Sequence, residues 1–292
     1  MAAITRRKKG NQYYYYLRHN AGKTQKEIYL GVHIPKNIEQ LKRQFYLDLL
    51  RQKWIANLET VGNQYRKSIK VMTKPEKKNQ LEVFSFDFTH DSNKIEGSTL
   101  TRRETRDLLR FHLTPRNKPE HDMMEANNHH RIFLQMLDAK ILTLKNILNM
   151  HNEIFSQTKP HYAGQIRHEP VFVTGSRATF PHHKFVPALL KQFFAWLRTE
   201  KSENPVEQAA LAHFRFVSIH PFGDGNGRIS RLLMNHVLYQ HNYPLLNIRY
   251  SDKARYYEAL ERGQTKLDEA HFLKWFVSYY ISQNKKYLKG RS

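Results

Sequence analysis

The spacing of apolar residues along this chain is mainly helical. Beyond residue 80, apolar positions recur three and four residues apart, the period of a helix with one buried face. Segments with this pattern are 100–112, 123–137, 140–156, 184–198, 205–219, 227–240, 253–262 and 270–283. The pattern predicts an all-α fold for this part of the chain.

The N-terminal part has a different pattern. Residues 12–19 and 25–32 are rich in tyrosine and β-branched side chains, and Asn20-Ala21-Gly22-Lys23 lies between them, which predicts a β-hairpin. Pro35 marks the start of a helix. The stripe of this helix consists of Ile38, Leu41, Phe45, Leu49, Leu58 and Val61. Because segment 73–79 is polar and contains a proline, we expect a linker there, after a hairpin-plus-helix module over residues 1–75.

One stretch interrupts the helical pattern. Residues 170–181 contain two short β-like runs on either side of Gly175. This arrangement predicts a small β-hairpin within an otherwise helical domain.

Charge is the main compositional signal. The formal net charge of the 292 residues is +22, and the first 80 contain 18 Lys and Arg against 5 Asp and Glu. Such an excess indicates an acidic partner, including nucleic acid bound through residues 1–75, or a solvated basic surface. The sequence leaves these alternatives open.

The chain has no cysteine, which excludes disulfides, cysteine-ligated zinc and thiol nucleophiles. The basic N-terminus lacks the apolar run of a secretion signal, and no apolar stretch reaches the length of about 18 residues typical of a membrane span. We therefore expect a cytoplasmic protein without a membrane partner.

The stretch 218–231, SIHPFGDGNGRISR, carries the candidate chemistry. A helix is predicted to end at His220, because Pro221 cannot continue it, and a second helix is predicted to start near Gly227. A glycine-rich loop at a helix N-terminus presents unpaired N–H groups together with the helix dipole, which favours an anion such as phosphate.

The polar residues of this stretch suit phosphate chemistry. Arg228 and Arg231 are one turn apart and can face one phosphate chain. Asp224 is a hard oxygen ligand suited to Mg²⁺, and His220 is a candidate general base. Each feature alone is more often structural, so their combination carries the hypothesis.

The stretch also resembles the Fic-family motif HPFx(D/E)GNGRxxR. All defined positions match: His220, Pro221, Phe222, Asp224, Gly225, Asn226, Gly227, Arg228 and Arg231. The resemblance implies a helical catalytic domain, over residues 100–285, that transfers AMP from ATP to a Ser, Thr or Tyr hydroxyl of a target protein. A phosphorylating relative has lysine at the position of Gly227, so the glycine favours AMP transfer.

The resemblance also implies a role for each motif residue. His220 would deprotonate the target hydroxyl, Asp224 would hold Mg²⁺ and Phe222 would anchor the loop. The anion nest would consist of Gly225, Asn226 and Gly227, and the β- and γ-phosphates would be held by Arg228 and Arg231.

Flanking segments agree with this resemblance. Residues 161–167 resemble the segment before the family's hairpin flap, so the hairpin at 170–181 would dock the target protein as an added strand. Tyr257 lies in a segment that resembles the adenine and ribose contact of the family, although a core tyrosine fits there too.

A second motif lies in the region 80–100. Ser92, Glu96 and Gly97 match the family's inhibitory pattern (S/T)xxxE(G/N). The resemblance implies that Glu96 pairs with Arg231 and takes the place of the γ-phosphate, so the enzyme is autoinhibited. In some relatives the same glutamate also aligns a water that removes AMP from modified targets.

Two other functions are compatible with parts of the sequence. In one alternative, His90-Asp91 and His121-Asp122 would be the metal ligands of a helical phosphohydrolase, although chance pairs are common among 17 histidines. Residues 1–75 alone fit a nucleic-acid-binding protein. A homodimer is also left open by the sequence.

Overall fold

The structure is a computed structural model that describes residues 3–21, 24–199 and 204–288. The chain divides into two compact units, Met1–Ala56 and Asn57–Ser292, and the division falls within the first helix. Among the described residues, no helix combines the length and apolar character needed to cross a bilayer.

The first unit contains a three-stranded antiparallel sheet in the order β1-β2-β3. Its strands are β1 (Ala3–Lys9), β2 (Gln12–Ala21) and β3 (Thr24–Gly31). The predicted hairpin is confirmed as β2 and β3, while Gly22 and Lys23 of its turn lie outside the described residues. Strand β1 was not predicted, because its run of basic residues lacks the apolar alternation of a strand.

One face of this sheet packs on α1 (Ile38–Val71). Leu17 of β2 is fully buried and forms a cluster with Phe45 and Leu49 of α1. The part of the predicted stripe that contains Phe45 and Leu49 therefore packs on the sheet.

All eight helices predicted beyond residue 80 are confirmed within a few residues at each end. They are α3 (Arg102–Phe111), α4 (Glu120–Asp138), α5 (Leu144–Phe155), α6 (Val186–Thr199), α7 (Pro205–Ile219), α8 (Asn226–Gln240), α9 (Lys253–Thr265) and α10 (Ala270–Gln283). Helices α7 and α8 are buried on nearly every side. Such all-round burial is the property of a helix at the centre of a helical core.

The prediction of a linker at 73–79 is wrong, because this segment starts α2 (Lys74–Ile95). The Thr73 hydroxyl accepts from the backbone N–H of Glu76, whose carboxylate accepts from the Thr73 N–H, and Pro75 occupies the first turn. This capping box explains the polar composition, since the residues that cap a helix are also those that favour loops.

The prediction of a β-hairpin at 170–181 is also wrong in its strands. The described segment is an irregular loop that turns where Ser176 N–H donates to Val173 O at 3.0 Å, with Gly175 at φ +79°. Pro170 and Pro181 supply no N–H, which removes donors at both ends of a possible ladder. We call residues 168–182 the flap.

Candidate active site

His220 lies where α7 ends and the motif loop begins. Its backbone N–H still donates to Phe216 O at 3.1 Å, and its own φ is +51°. Because Pro221 has no N–H to continue the helix, the chain leaves α7 here and turns toward α8. The sequence prediction for this helix end is confirmed.

The ring of His220 is held with one nitrogen engaged. Nδ1 lies 3.1 Å from Val217 O. Since a carbonyl only accepts, Nδ1 carries the proton and Nε2 has a lone pair available as a base. Burial lowers the pKa of His220 to about 4, so the ring is neutral at physiological pH.

Two side chains, Phe222 and Asn226, hold the motif loop in its conformation. Phe222 is fully buried. The Asn226 side chain accepts from the Phe222 N–H and donates to the Phe222 carbonyl, both at 2.9 Å. Because Asn226 makes both contacts with its own loop, the structure gives it a role in shaping the loop.

His151 also stabilises the motif loop, although the sequence pattern did not indicate this role. Gly164 N–H donates to its Nδ1 at 2.9 Å, so the proton lies on Nε2, which donates to Asp224 O at 2.9 Å. Its ring stacks on Phe222 with centroids 3.8 Å apart, and burial lowers its pKa to about 4. A histidine 73 residues before Asp224 gives no sequence signal for this contact.

Two glycines make room at the start of α8. Gly225 has φ +82°, and a Cβ there would lie 2.5 Å from the Phe155 ring. At Gly227 a Cβ would lie 2.3 Å from Glu96 Oε1. The second glycine therefore lets the Glu96 carboxylate lie directly against the helix N-terminus.

Asp224 is half-exposed beside this N-terminus. Its carboxylate lies 3.0 Å from Lys159 Nζ and 3.7 Å from an Arg228 nitrogen. Burial disfavours the charged form, but Arg228 and Lys159 outweigh burial and lower the pKa of Asp224. An ionised carboxylate beside a phosphate nest fits Mg²⁺, which takes one or two protein carboxylates and completes its shell with phosphate and water. No group of three or more His, Asp or Glu that would hold a metal by itself occurs in the described ranges.

Arg228 is buried and paired with a carboxylate that the sequence analysis did not identify. Its guanidinium bonds Glu125 of α4, and the same nitrogen donates to Asn93 Oδ1 at 3.3 Å. Lys159 Nζ donates to the other oxygen of Glu125 at 2.8 Å. Lys159 thus links the carboxylates of Glu125 and Asp224.

Arg231 is held by the end of α2. It donates to the Ser92 hydroxyl at 3.0 Å, to Ser92 O at 2.9 Å and to Glu96 Oε1 at 2.6 Å. Burial opposes its charged form, but Glu96 more than offsets burial and raises the pKa of Arg231. The predicted contact between Glu96 and Arg231 is therefore formed.

Gly97 allows α2 to end at Glu96. Its φ is +106°, its N–H donates to Lys94 O at 3.1 Å, and Ser98 N–H donates to Asn93 O at 3.1 Å. These two bonds form a Schellman motif, which favours glycine at the left-handed position.

Tyr256 contacts Arg231 from the protein core. It is almost fully buried, and its hydroxyl lies 3.4 Å from an Arg231 nitrogen and 2.9 Å from His213 Nε2. Tyr257 is 40% exposed next to it. The structure thus puts Tyr256 in the core and leaves Tyr257 at the surface, where it is accessible to a ligand.

Arg167 connects the flap to the motif loop by hydrogen bonds. This buried side chain donates to three carbonyls, at 2.7 Å to His220, 2.8 Å to Glu169 and 2.6 Å to Pro181. Nearer the tip, Arg177 bonds Glu261. The Phe180 ring lies 4.1 Å from the His220 ring, so the flap borders the candidate base.

The His-Asp pairs make structural contacts. Asp91 accepts from Asn247 at 2.6 Å, and Asp122 accepts from the backbone and hydroxyl of Thr99 at 2.7 and 2.6 Å. With no metal-holding cluster in the part of the chain that the structure describes, the phosphohydrolase alternative finds no support.

Known proteins with similar sequences share this site region. Residues 141–238 match the Fic/DOC family. The chain is 34% identical over 185 residues to "Protein adenylyltransferase Fic" of Drosophila mojavensis, covering 60% of this chain and 36% of that protein. The protein of the same name from Drosophila melanogaster is 35% identical, with 60% and 37% covered. The chain thus spans little more than a third of the length of these relatives.

Solved structures show the same fold. A Fic domain containing signaling protein from Bacteroides thetaiotaomicron superposes with a TM-score of 0.71 at 29% identity, covering 81% of this chain and 99% of that chain. Fic-1 from C. elegans (residues 134–508) superposes with a TM-score of 0.72 at 24% identity, covering 87% and 78%. Residues 141–238 of this chain are therefore similar to the Fic/DOC family, and the fold is similar to that of solved Fic-domain structures.

Proposed function

We propose that the protein is a protein adenylyltransferase that transfers AMP from ATP to a hydroxyl side chain of a target protein. The main support for the proposal is that one loop contains two features together. These are a neutral His220, whose Nε2 is free to accept a proton, and a glycine-rich helix N-terminus. The Drosophila relatives are named for the same activity.

The chemistry requires one proton transfer. His220 Nε2 accepts the proton of the target hydroxyl, whose oxygen attacks the α-phosphorus of ATP. A new bond forms between that oxygen and the α-phosphorus, the bond from the α-phosphorus to the oxygen bridging to the β-phosphate breaks, and pyrophosphate leaves. The neutral state of His220 makes it ready to accept the proton.

Binding of the phosphates is assigned to the start of α8. Backbone N–H groups at Asn226 and Gly227 would face the anion, the Gly225 N–H would join them by leaving its bond to the Asp224 carboxylate, and Arg228 and Arg231 would supply positive charge. Asp224 would hold Mg²⁺, which would neutralise phosphate charge when bound. Tyr257, at the surface beside Tyr256, would contact the adenosine.

We further propose that Glu96 is an inhibitory residue. Its carboxylate takes a guanidinium nitrogen of Arg231 that the γ-phosphate would otherwise bind. A γ-phosphate excluded from Arg231 would leave the α-phosphate poorly aligned with the attacking hydroxyl. The resting enzyme should therefore be nearly silent.

The target would dock on the flap. Phe172 is 89% exposed, and the flap residues 170–173 are not paired in any described strand. An extended target segment can pair with such backbone while its hydroxyl approaches His220.

Labelled nucleotides test the proposal. Purified protein carrying Glu96→Gly, incubated with cell lysate and Mg²⁺, should transfer label from α-labelled ATP, and adding His220→Ala should abolish the transfer. Label from γ-labelled ATP alone would instead show a kinase. Transfer that persists with His220→Ala would refute the assigned base.

A second candidate function, nucleic-acid binding by the N-terminal part, is favoured by the open face of the sheet. Tyr16 and Tyr29 are cross-strand partners with rings 5.4 Å apart, and Arg7 lies 4.6 Å from the Tyr16 ring. Tyr29 is 56% exposed, Tyr16 is partly exposed and Arg7 is also paired with Glu27. Accessible aromatic rings beside cations form a stacking surface for bases. The full chain should then bind single-stranded DNA or RNA with steep salt dependence, and Arg7→Ala with Tyr16→Ala should weaken binding. Equal binding by parent and variant would exclude this surface.

A further inference from the structure

A cavity of about 1040 Å³ lies beside α2. The described residues that line it include none of the motif residues 220–231. Its walls come from the end of α1, from α2, from segment 239–251 and from residues 283–287. This volume is at the upper end of the range of small-molecule sites. On α2 the lining extends from Lys77 to Asp91, roughly 21 Å at 1.5 Å per residue, which suits an elongated ligand.

The cationic side chains that line the cavity outnumber its two carboxylates. Asp87 is paired with Arg102, whereas Asp91 accepts from two neutral donors, the Asn247 amide and the Tyr250 backbone N–H. Lys77, Lys78 and Lys286 are exposed lining residues, and among the described ion pairs none of them has an acidic partner. The cavity therefore favours an anionic ligand.

The walls between these charges are aromatic. Tyr65 and Tyr287 lie in edge contact with centroids 5.8 Å apart, and Phe84 and Tyr243 also line the cavity. Aromatic walls favour a planar ring in the ligand. Lysines are suited to phosphate groups, which they bind as point charges.

We propose that this cavity is a second binding site, for a phosphorylated, ring-bearing small molecule of the nucleotide class, and that its occupancy acts on the active site through α2. One helix connects the two sites. Asp91 lines the cavity, its neighbour Ser92 bonds Arg231, and Glu96 bonds Arg231 one turn later. A ligand that prefers one position of α2 shifts the helix population and with it the contacts of Glu96.

Binding is tested on the full chain by titration calorimetry with AMP, ADP, ATP, GTP and flavin mononucleotide. At least one of these should bind with an affinity that Lys77→Ala, Lys78→Ala and Lys286→Ala together reduce about tenfold or more. Arg228→Ala, which affects the active site, should leave that binding event unchanged. Lys74→Ala with Lys140→Ala and Lys145→Ala is the matched control, since these three lysines are exposed and none of them lines the cavity.

The binding site is overturned if no member of the panel binds, or if every binding event depends on Arg228 and none on the three lysines. These outcomes do not depend on any catalytic activity, so they are distinct from failure of the proposed function.

The action through α2 rests on the proposed function and is tested by self-labelling from α-labelled ATP. The ligand found by calorimetry should change labelling by the parent about threefold or more, and should leave labelling by Glu96→Gly unchanged. An equal response of the parent and Glu96→Gly, or no response of the parent, would overturn the coupling while leaving the binding site in place.

Discussion

Arg228 and Arg231 lie one turn apart on α8, and each is neutralised by a carboxylate from a different helix. Glu125 of α4 pairs with Arg228, and Glu96 at the end of α2 pairs with Arg231. A buried cation without a partner would be costly, so these carboxylates stabilise the site when no phosphate is bound. Any phosphate chain must therefore compete with a carboxylate at both positions.

Gly225 combines a positive φ with a close steric contact. Gly225→Ala would combine a φ of +82° with a Cβ 2.5 Å from the Phe155 ring, whereas Gly175→Ala would share the positive φ but meet nothing within 4 Å. We expect Gly175→Ala to cost about 1 kcal/mol of unfolding free energy and Gly225→Ala about 2 kcal/mol more. Denaturant unfolding measures both, and equal losses would contradict the steric argument.

The motif residues could be predicted from the sequence because they lie together along the chain. Residues 220–231 place the candidate base, the glycine-rich turn and both arginines within one helix-loop-helix. Glu125, Lys159 and His151 could not be found this way, because each reaches the motif from at least 65 residues away in sequence. The pairing of Glu96 with Arg231, across 135 residues, was predicted only because a known family motif implied it.

At the scale of elements, α2 connects several parts of the molecule. It begins at the capping box of Thr73, lines the large cavity along its length and ends in the Schellman motif at Gly97. The sequence predicted the contact of its C-terminal end with Arg231 but treated its first turn as a linker. The pattern Thr73-x-x-Glu76 was a usable signal for a helix start.

The flap is predicted to depend on Arg167. Arg167→Ala should accelerate hydrogen exchange over residues 168–182 and raise the KM for the protein target, because the side chain holds the carbonyls of His220, Glu169 and Pro181. Lysine should not rescue the loss, since it lacks the planar fork of donors.

Arg177→Ala is the matched control for this prediction. Its guanidinium is 88% exposed, and exposed ion pairs contribute little. Similar exchange rates in Arg167→Ala and Arg177→Ala would show that Arg167 does not anchor the flap.

Helix positions were easier to predict than strands. A helix with one buried face shows its period over a dozen residues, while the β-like runs of β1 and the flap are too short to show a period. The flap shows this limit clearly: its residues read as β-like, but no neighbouring strand in the described structure pairs with them.

Buried neutral histidines make the stability of the whole molecule depend on pH. Burial lowers the pKa of His151 and His220 to about 4, and lowers the pKa of His129 and His213 well below the ordinary value. In the unfolded chain these groups titrate near pH 6.5. Between pH 6.5 and 4 the unfolded state therefore binds more protons, and stability falls as pH falls.

We expect the free energy of unfolding to decrease from pH 7 to pH 5, by up to about 1.4 kcal/mol per pH unit for each of these histidines. Denaturant unfolding at several pH values measures the slope. His151→Gln should make the slope shallower by the amount that His151 contributes to it. A stability that is constant or increases toward pH 5 would contradict the assignment of neutral buried rings.

The most direct test of the account is the labelling rate of Glu96→Gly with α-labelled ATP. Removing the carboxylate frees Arg231 for the γ-phosphate. The bond lost is a charged one worth about 1.5–3 kcal/mol, so self-labelling and target labelling should rise about tenfold or more. Lys94→Gly, which loosens the same helix end without touching Arg231, should stay near the parent rate, and Arg231→Ala should not reproduce the gain. A chase of labelled target with the parent enzyme separates faster addition from slower removal of AMP. Equal labelling by Glu96→Gly and the parent across ATP concentrations would contradict the claim that Glu96 inhibits this site.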